Sequence, residues 1–339
     1  MKAVGYRTPS PITDPEALVD IELPTPLATG RDILVEVRAV SVNPVDYKIR
    51  RSTPPAGADW KVLGWDAAGI VVSVGPDVTL FQPGDEVWYA GAIGRSGTNA
   101  QFHLVDERIV GHKPKTFDWG EAAALPLTAL TAWEAFFDRI DIRKPVPGAA
   151  PAILIIGGAG GVGSIAIQIA RQCTDLKVIA TASRSETQEF VTKLGAHHVV
   201  DHSKPLAKEV AALGLGAPAF VFSTTQTDRH VAAIAELIAP QGRFGLIDDP
   251  SSFDIMLFKR KAVSIHHELM FTRSIYGTAD MAEQGRILNE VARLVDEGKI
   301  ASTLTKRFGP INAANLKAAH AQLESGATIG KVVLEGFAS

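Results

Sequence analysis

The glycine-rich segment Pro151–Gln168 (PAILIIGGAGGVGSIAIQ) constrains the fold of this chain more than any other stretch. An apolar run leads into the seven residues 157–163, of which five are glycine, and a helix-like pattern follows at once. Gly158, Gly160 and Gly163 have the G-x-G-x-x-G spacing, in the order of strand, tight turn and helix that a dinucleotide site requires. There the first glycine allows the turn, the second lets the backbone approach a pyrophosphate, and the third lets helix and strand pack closely. The alternative, a flexible loop, is disfavoured because periodic apolar segments flank the turn on both sides.

Length and composition limit the classes of protein to consider. The 339 residues are enough for two domains, and 46% hydrophobic with 21% charged residues is typical of a water-soluble globular protein. A net charge of -3 provides no general attraction for nucleic acid or an anionic membrane, so we expect neither as a partner. The single cysteine, Cys173, excludes an intramolecular disulfide. Without a signal-peptide pattern or a membrane-span pattern, we expect a cytoplasmic location.

The pattern of the chain changes near Trp119. Before it, short alternating segments separated by Gly, Pro and Asp turns predict the strands Ile33–Val42, Gly69–Val74, Glu86–Ala90 and Gln101–Val105. From Trp119 to Phe137 the period is helical, with an interruption at Pro126. After the glycine turn, helices alternate with the predicted strands Val178–Ala182, Ala196–Val200, Ala219–Ser223, Gly242–Ile247 and Val263–His267. This alternation predicts a parallel sheet with right-handed crossovers.

The end of the second strand of this unit decides the type of dinucleotide. An acid about 20 residues past the glycines would bind a ribose 2′-hydroxyl, whereas a basic group would admit a 2′-phosphate. Here Ser183 and Arg184 occupy that place, and residues 178–185 contain no acid. We therefore expect NADPH rather than NADH, with Arg184 binding the phosphate. The alternative is a surface arginine on an ordinary loop.

Several motifs together resemble one family. They are Ser41–Lys48 (SVNPVDYK), Gly64–Gly69 (GWDAAG), Pro83–Val87 (PGDEV), Glu121–Ala132 (EAAALPLTALTA) and Gly326–Leu334 (GATIGKVVL). With the domain order, they make the chain similar to the medium-chain dehydrogenase/reductase superfamily, and above all to its zinc-free quinone oxidoreductase branch. The segment His266–Arg273 (HHELMFTR) resembles a subset named after zinc-binding alcohol dehydrogenases.

This resemblance implies an α/β fold in which a Rossmann doubly wound parallel sheet is joined to a β-rich GroES-like catalytic domain. The GroES-like domain would comprise 1–125 together with 273–339, and the Rossmann domain 126–272. The final strand, Lys331–Leu334, would return to the first domain. A homodimer is expected, with Val263–His267 extending a sheet across it.

The resemblance also indicates where zinc-dependent members of the superfamily place the ligands of their catalytic zinc. This sequence lacks those ligand residues. Such a site would take a Cys near position 43 and a His near position 65, but the chain has Asn43 and Trp65. Cys173, with apolar neighbours at helical spacing, is expected to pack. Zinc needs three or four sulfur, imidazole or carboxylate ligands, so we expect no zinc site.

Without a metal, the expected reaction is hydride transfer from NADPH to an electron-poor acceptor such as a quinone or an activated enone. By resemblance, Asn43 lies near the nicotinamide ribose, Asp46 supports its loop, and Tyr47 is a candidate proton donor or else a packing residue. Thr128 and Thr131 would face the nicotinamide. Further predicted cofactor contacts are Gly158, Gly160, Gly161, Val162, Gly163, Ser183, Arg184, Thr224, Phe271 and Lys331. An acceptor wall of Trp60, Trp65 and Phe271 is expected, with ordinary core aromatics as the alternative.

Two other functions stay open from the sequence. One is a zinc-dependent alcohol dehydrogenase. The other is an NADPH-binding protein whose role is not enzymatic. Family enoyl reductases place a functional tyrosine a little beyond the N-P-x-D motif, and the stretch Arg50–Trp60 has none, which weakens that variant of the reductase prediction.

Overall fold

The computed structural model describes residues 1–56 and 59–337. The strands are β1 Lys2–Tyr6, β2 Val19–Glu22, β3 Asp32–Ser41, β4 Lys61–Val62, β5 Ala67–Val74, β6 Glu86–Tyr89, β7 Phe102–Asp106, β8 Val110–His112, β9 Ala150–Ile156, β10 Lys177–Thr181, β11 His198–Val200, β12 Pro218–Ser223, β13 Arg243–Leu246, β14 Ser264–His267, β15 Leu304–Arg307 and β16 Lys331–Glu335. The helices are α1 Pro44–Ser52, α2 Trp119–Ala123, α3 Pro126–Trp133, α4 Gly161–Cys173, α5 Ser185–Lys193, α6 Leu206–Ala211, α7 Thr227–Leu237, α8 Met256–Lys259, α9 Thr272–Tyr276, α10 Glu283–Asp296 and α11 Ala313–Glu324. A short 3₁₀ helix spans Glu107–Ile109, and a π-helical segment, Glu134–Arg139, continues α3.

The chain forms two compact units. Unit 1 comprises Met1–Leu130, Phe271–Gly298 and Ser302–Ser339, and unit 2 comprises Thr131–Met270 and Lys299–Ala301. The sequence prediction placed the corresponding boundaries at residues 126 and 273.

Unit 1 is built on a seven-stranded sheet centred on the long strand β3. Strands follow one another in the order β15-β16-β3-β5-β6-β8, and β7 also pairs with β3. β3 is antiparallel to β5, β7 and β16, whereas β15 runs parallel to β16. The predicted return of the last strand is therefore present, since Val333 pairs with Ser41 and Leu334 with Val40. A second sheet, β2-β1-β4, completes the strands of this unit among the described residues.

Unit 2 is a six-stranded parallel sheet in the order β11-β10-β9-β12-β13-β14. In order of appearance along the unit, this is 3-2-1-4-5-6, the arrangement of a doubly wound dinucleotide-binding sheet. The strand order reverses between β9 and β12, and because the strands are parallel their carboxyl ends lie at the same edge of the sheet. The predicted fold class, a doubly wound parallel sheet plus a β-rich unit, is confirmed.

The central strand β9 is buried on both faces, as a strand between two layers of helices must be. Its residues Ala152, Leu154 and Ile156 join one core cluster, which includes Phe244 of β13 and Ile234 of α7. Such a strand reads as a continuous apolar run rather than an alternating one. This run predicted the strand that precedes the glycine turn.

The predicted helix over 119–137 is divided at the expected place. α2 ends at Ala123, and Pro126 is the first residue of α3, where its missing N–H costs nothing. The difference from the prediction lies at the other end, where the backbone N–H of Ile140 reaches the carbonyl of Ala135 at 2.9 Å, an i→i+5 bond. No helix in 1–56 or 59–337 is long and apolar enough to cross a membrane.

Candidate functional site

The glycine turn of unit 2 connects β9 to α4. β9 ends at Ile156, Gly157 has a φ of +79°, and α4 begins at Gly161 after the N-cap residue Gly160. The N–H of Gly157 donates to Thr181 Oγ1 at 3.0 Å, which ties the turn to the end of β10. No side chain caps α4, and its first turn contains no acid. The first N–H groups of α4 are therefore left for an anionic ligand.

Each glycine of the motif is required for a different reason. A Cβ at Gly163 would lie 2.2 Å from the Gly157 carbonyl oxygen, so only glycine lets helix and turn approach this closely. A Cβ at Gly158 would lie 2.9 Å from Ala180 Cβ on β10. At Gly160 the nearest chain atom would be the Gly157 oxygen at 3.4 Å, so the protein itself hardly limits this position. The space at Gly160 is what a pyrophosphate needs.

The other predicted dinucleotide contacts of unit 2 follow strands on both sides of β9. Ser183 and Arg184 lie in the short loop between β10 and α5 and are exposed. Thr224 follows β12, and its hydroxyl donates to the Ile156 carbonyl at 2.8 Å. Val162 lies in the first turn of α4 and is half-buried. Because these positions are at carboxyl ends of neighbouring parallel strands, they share the edge at which α/β sheets bind nucleotides.

The two predicted nicotinamide-facing threonines fall in different units. Thr128 belongs to unit 1, is buried, and donates through Oγ1 to the Leu125 carbonyl at 3.0 Å. Thr131 is the first residue of unit 2 and is also buried. Their roles toward a cofactor stay predictions.

Unit 1 contains a buried group of polar side chains that we call the Asp66 cluster: Asn43, Asp66 and Lys331. None of the three is more than 3% exposed. Asp66 Oδ2 accepts from Asn43 Nδ2 at 2.8 Å and from Lys331 Nζ at 3.0 Å, and Asp66 Oδ1 accepts from the N–H of Leu127 at 2.8 Å. Lys331 Nζ also donates to Asn43 Oδ1. Burial raises the pKa of Asp66, while the positive charge of Lys331 and the hydrogen bond from Asn43 lower it.

Asp66 is the site residue that the sequence prediction missed. It stands in the motif GWDAAG, where its neighbours Leu63, Trp65 and Ala67 are all buried. A carboxylate inside an apolar stretch is the signal that could have identified it, because a buried charge is retained only with partners.

Asp46 lies in the first turn of α1 and contacts the residue that precedes this helix. Its Oδ2 accepts from the N–H of Asn43 at 2.7 Å, and the N–H of Asp46 donates to the Asn43 carbonyl at 3.0 Å. Pro44 is the first residue of the helix, where its fixed φ suits the turn. Burial raises the pKa of Asp46 from 3.8 to about 7, although the Asn43 N–H and the charge of Lys331 lower it.

The raised pKa of Asp46 predicts a specific pH dependence. Folded Asp46 keeps its proton up to about pH 7, whereas the unfolded chain loses it near pH 4. The folded state therefore binds more protons between these values, and stability must fall as the pH rises through this window. We expect Asp46→Asn to flatten that fall, because its amide oxygen still accepts from Asn43 and carries no proton to lose. Urea unfolding at pH 4, 5, 6 and 7 measures both slopes. Parallel slopes would contradict a titrating Asp46.

Two of the three aromatic residues predicted to form an acceptor wall are in contact in the structure. Trp65 and Phe271 are buried and meet edge to face, with ring centroids 6.2 Å apart. Trp60 instead packs under the guanidinium of Arg7, 4.3 Å from the ring centroid. Tyr47 lies in α1 and is half-buried.

The residues present do not supply a metal site of the expected kind. Within 1–56 and 59–337, no group of three His, Cys, Asp or Glu side chains is arranged to hold a metal ion. Asn43 and Trp65 stand at the positions where the family resemblance predicts ligands, and the Asn43 amide is engaged by Asp66 and Lys331. Cys173 is at the last position of α4, half-buried.

Comparison with known proteins agrees with the fold. Residues 29–120 match the family model of the alcohol dehydrogenase GroES-like domain, and residues 194–334 match that of the zinc-binding dehydrogenases. A zinc-type alcohol dehydrogenase-like protein of Staphylococcus aureus (strain MSSA476) is 39% identical over 336 residues, which are 98% of this chain and 99% of the relative.

Solved structures extend the comparison. A protein of Rhizobium etli CFN 42, provisionally named a zinc-dependent alcohol dehydrogenase, is 78% identical with a TM-score of 0.99 over 100% of this chain and 99% of the other. The quinone oxidoreductase of Coxiella burnetii is 25% identical with a TM-score of 0.80 over 99% of each chain. With its GroES-like unit, its dinucleotide-binding sheet and these relatives, the chain belongs to the medium-chain dehydrogenase/reductase superfamily of oxidoreductases.

Proposed function

We propose that this protein is a zinc-independent oxidoreductase that transfers a hydride from NADPH to a quinone or another activated, enone-type acceptor. The observation that carries the proposal is the carboxyl edge of unit 2. There the glycine turn leaves room for a pyrophosphate, and the loop after the neighbouring strand β10 contains the exposed Ser183 and Arg184 and no acid.

The residues of unit 2 fit a 2′-phosphorylated dinucleotide. The free N–H groups at the start of α4 and the open position at Gly160 would hold the pyrophosphate. Arg184 would bind the 2′-phosphate through charge-assisted hydrogen bonds, and Ser183 would add a hydroxyl. Bound NADPH supplies the hydride, and the protein contributes alignment and exclusion of water.

The choice of acceptor follows from the residues that stand in place of metal ligands. A zinc alcohol dehydrogenase needs side chains that coordinate the metal, because the metal stabilises the alkoxide. The Asn43 amide, which is hydrogen-bonded to Asp66, and the Trp65 indole do not supply such ligands. An acceptor that is already electron-poor needs no such help. The similar protein of Coxiella burnetii is named a quinone oxidoreductase, which supports a quinone as the acceptor.

NADPH oxidation with a panel of quinones, enones and aldehydes tests the proposal. Turnover should be found with quinones or enones, should persist after treatment with a chelator, and should not need added zinc. If zinc binds stoichiometrically and alcohols are oxidised only in its presence, the zinc-dependent alternative holds instead; the names of the Staphylococcus aureus and Rhizobium etli relatives favour that alternative. Tight NADPH binding without turnover on any acceptor would favour a non-enzymatic role.

Arg184→Ala should weaken NADPH binding by about 1.5–3 kcal/mol, the usual contribution of a hydrogen bond to a charged group, and barely change NADH binding. Arg171→Ala is the control, because it removes another exposed cation of the same unit, in the last turn of α4. Titration calorimetry with both dinucleotides measures the difference. Equal losses for NADPH and NADH would contradict the proposed phosphate contact.

Tyr47→Phe tests whether Tyr47 donates a proton during the reaction or only packs against its neighbours. If Tyr47 donates a proton, turnover on enones should fall about 10²-fold, because the carbanion must be protonated. Quinone turnover should change little, since reduced quinone oxygens take protons from water. Steady-state kinetics on both acceptor classes measures the ratio. Slight and equal effects would assign Tyr47 to packing.

A homodimer formed through unit 2 is also part of the proposal. β14 is one of the two edge strands of the parallel sheet, and a strand at a sheet edge offers unpaired backbone groups. Shortly before β14 in the sequence, the apolar side chains of Ile255, Met256 and Leu257 are 43–60% exposed. Sedimentation analysis should show a dimer, and Met256→Lys should weaken it.

A further inference from the structure

The Asn43 amide has two chemically different ends, and the Asp66 cluster gives each end a different partner. Its Oδ1 accepts from Lys331 Nζ, and its Nδ2 donates to Asp66 Oδ2 at 2.8 Å. An ammonium can only donate, and an ionised carboxylate can only accept. A reversed amide would place NH₂ against NH₃⁺ and oxygen against carboxylate. The two charges therefore permit a single orientation of the amide.

All the hydrogen-bond acceptors described for Lys331 Nζ belong to unit 1. Lys331 begins β16, is 3% exposed, and has three acceptors: the Val42 carbonyl at 3.3 Å, Asn43 Oδ1, and Asp66 Oδ2 at 3.0 Å. These three acceptors match the three protons of an ammonium. This arrangement leaves the ammonium poorly suited to the direct cofactor contact that the sequence resemblance implied.

We propose that Lys331 is a positioning residue, which fixes the Asn43 amide and the backbone at Val42 and so orients the loop that leads into α1. The ammonium engages this loop twice, at the Val42 carbonyl and at the Asn43 side chain, while Asp46 holds the Asn43 N–H from the helix side. The catalytic consequence rests on the proposed function and on the family resemblance, which implies that Asn43 lies near the nicotinamide ribose. Misplacement by about 1 Å at such a position costs up to about 10²-fold in rate.

The first variant is Lys331→Met. We expect kcat to fall about 10- to 100-fold while the Kd for NADPH changes less than about 3-fold, because the loop loses its orientation and the dinucleotide keeps its contacts in unit 2. Lys113→Met is the matched control: Lys113 Nζ is also nearly buried, donates to the Pro114 and Phe117 carbonyls at 2.9 Å, and pairs with Glu86 at 3.2 Å. The control should lower the melting temperature without a comparable fall in kcat.

A double variant separates positioning from stability. Lys331→Met alone leaves Asp66 buried without its cation, so lost stability could by itself lower activity. Lys331→Met with Asp66→Asn removes both charges and should recover most of the melting temperature. In that variant the N–H of Leu127 keeps the oxygen of the new amide as its acceptor, so the NH₂ at position 66 faces Asn43 and favours the reversed Asn43 amide. We expect kcat to stay low even though stability returns.

Two kinetic outcomes overturn the proposal. Recovery of both stability and kcat in the double variant would make the ion pair a structural element only. A rise of more than 10-fold in the Kd for NADPH with unchanged kcat, in Lys331→Met, would make Lys331 a cofactor ligand. A third readout does not depend on turnover: the side-chain NH₂ of Asn43 should exchange slowly with solvent in the unmodified protein and faster in Lys331→Met. Fast exchange in the unmodified protein overturns the proposal, even if no acceptor is ever found and the proposed function fails.

Discussion

Gly163→Ala is expected to lower the free energy of unfolding by about 3 kcal/mol, at the upper end of ordinary overpacking. The added Cβ would lie 2.2 Å from the Gly157 carbonyl oxygen and 2.7 Å from Gly158 Cα, all backbone atoms of the same turn. Backbone cannot rotate away as a flexible side chain does, so α4 and β9 must separate. Urea unfolding followed by circular dichroism measures the loss, and NADPH titration should show that the dinucleotide no longer binds tightly.

Gly160→Ala is the control within the same turn. Gly160 has a φ of −76°, which any residue adopts, and its Cβ would meet only the Gly157 oxygen at 3.4 Å. We expect this variant to unfold at nearly the same urea concentration as the unmodified protein but to bind NADPH more weakly. If both alanines were tolerated in folding and in binding, the turn would not be the phosphate site.

Asp66→Leu should destabilise the protein by about 3–5 kcal/mol, because removing one partner of a buried ion pair leaves the other charge uncompensated. Lys331 would lose its counter-charge, and the N–H of Leu127 would lose the acceptor that lies 2.8 Å away. The side chain of Asn43 would lose the partner of its Nδ2 as well.

Thermal and urea unfolding at pH 7 measure this effect, with Asp77→Leu as the control at an exposed acid of the same unit. The control should change the free energy of unfolding by less than about 0.5 kcal/mol. A loss below about 1 kcal/mol for Asp66→Leu would contradict a buried, paired carboxylate.

The parts of the fold that depend on local pattern could be predicted from the sequence. The apolar run before Gly157 predicted β9, the glycine spacing predicted the turn into α4, and the alternation of elements predicted the parallel sheet. Helix α1 was not predicted, although its signals are local: Asn43 precedes it, Pro44 is its first residue, and Asp46 accepts from the Asn43 N–H. The motif Ser41–Lys48 therefore contains an ordinary helix start in addition to its resemblance to the family.

The Asp66 cluster could not be predicted in the same way. Its members come from positions 43, 66 and 331, and only the pairing of β16 with β3 brings the last of them to the first two. No periodicity relates residues so far apart in sequence. The resemblance implied Asn43 and Lys331 as separate cofactor contacts, whereas the structure joins them through Asp66, for which the resemblance implied no role.

The pairing of β16 with β3 also has a consequence for how the chain folds during synthesis. Unit 2 draws its sheet from 150–267, a nearly continuous stretch, whereas the sheet of unit 1 needs both residues 32–41 and residues 331–335. β7 covers residues 32–36 on this edge of β3 early, but about 290 further residues must be synthesised before β16 can pair with residues 39–41. Until then this end of the edge is unpaired and Asn43 and Asp66 lack their cation, while the parallel sheet of unit 2 is already translated. We therefore expect unit 2 to complete its sheet before unit 1 does, and residues 39–41 of β3 to be open to wrong pairing and to chaperone binding in the interval.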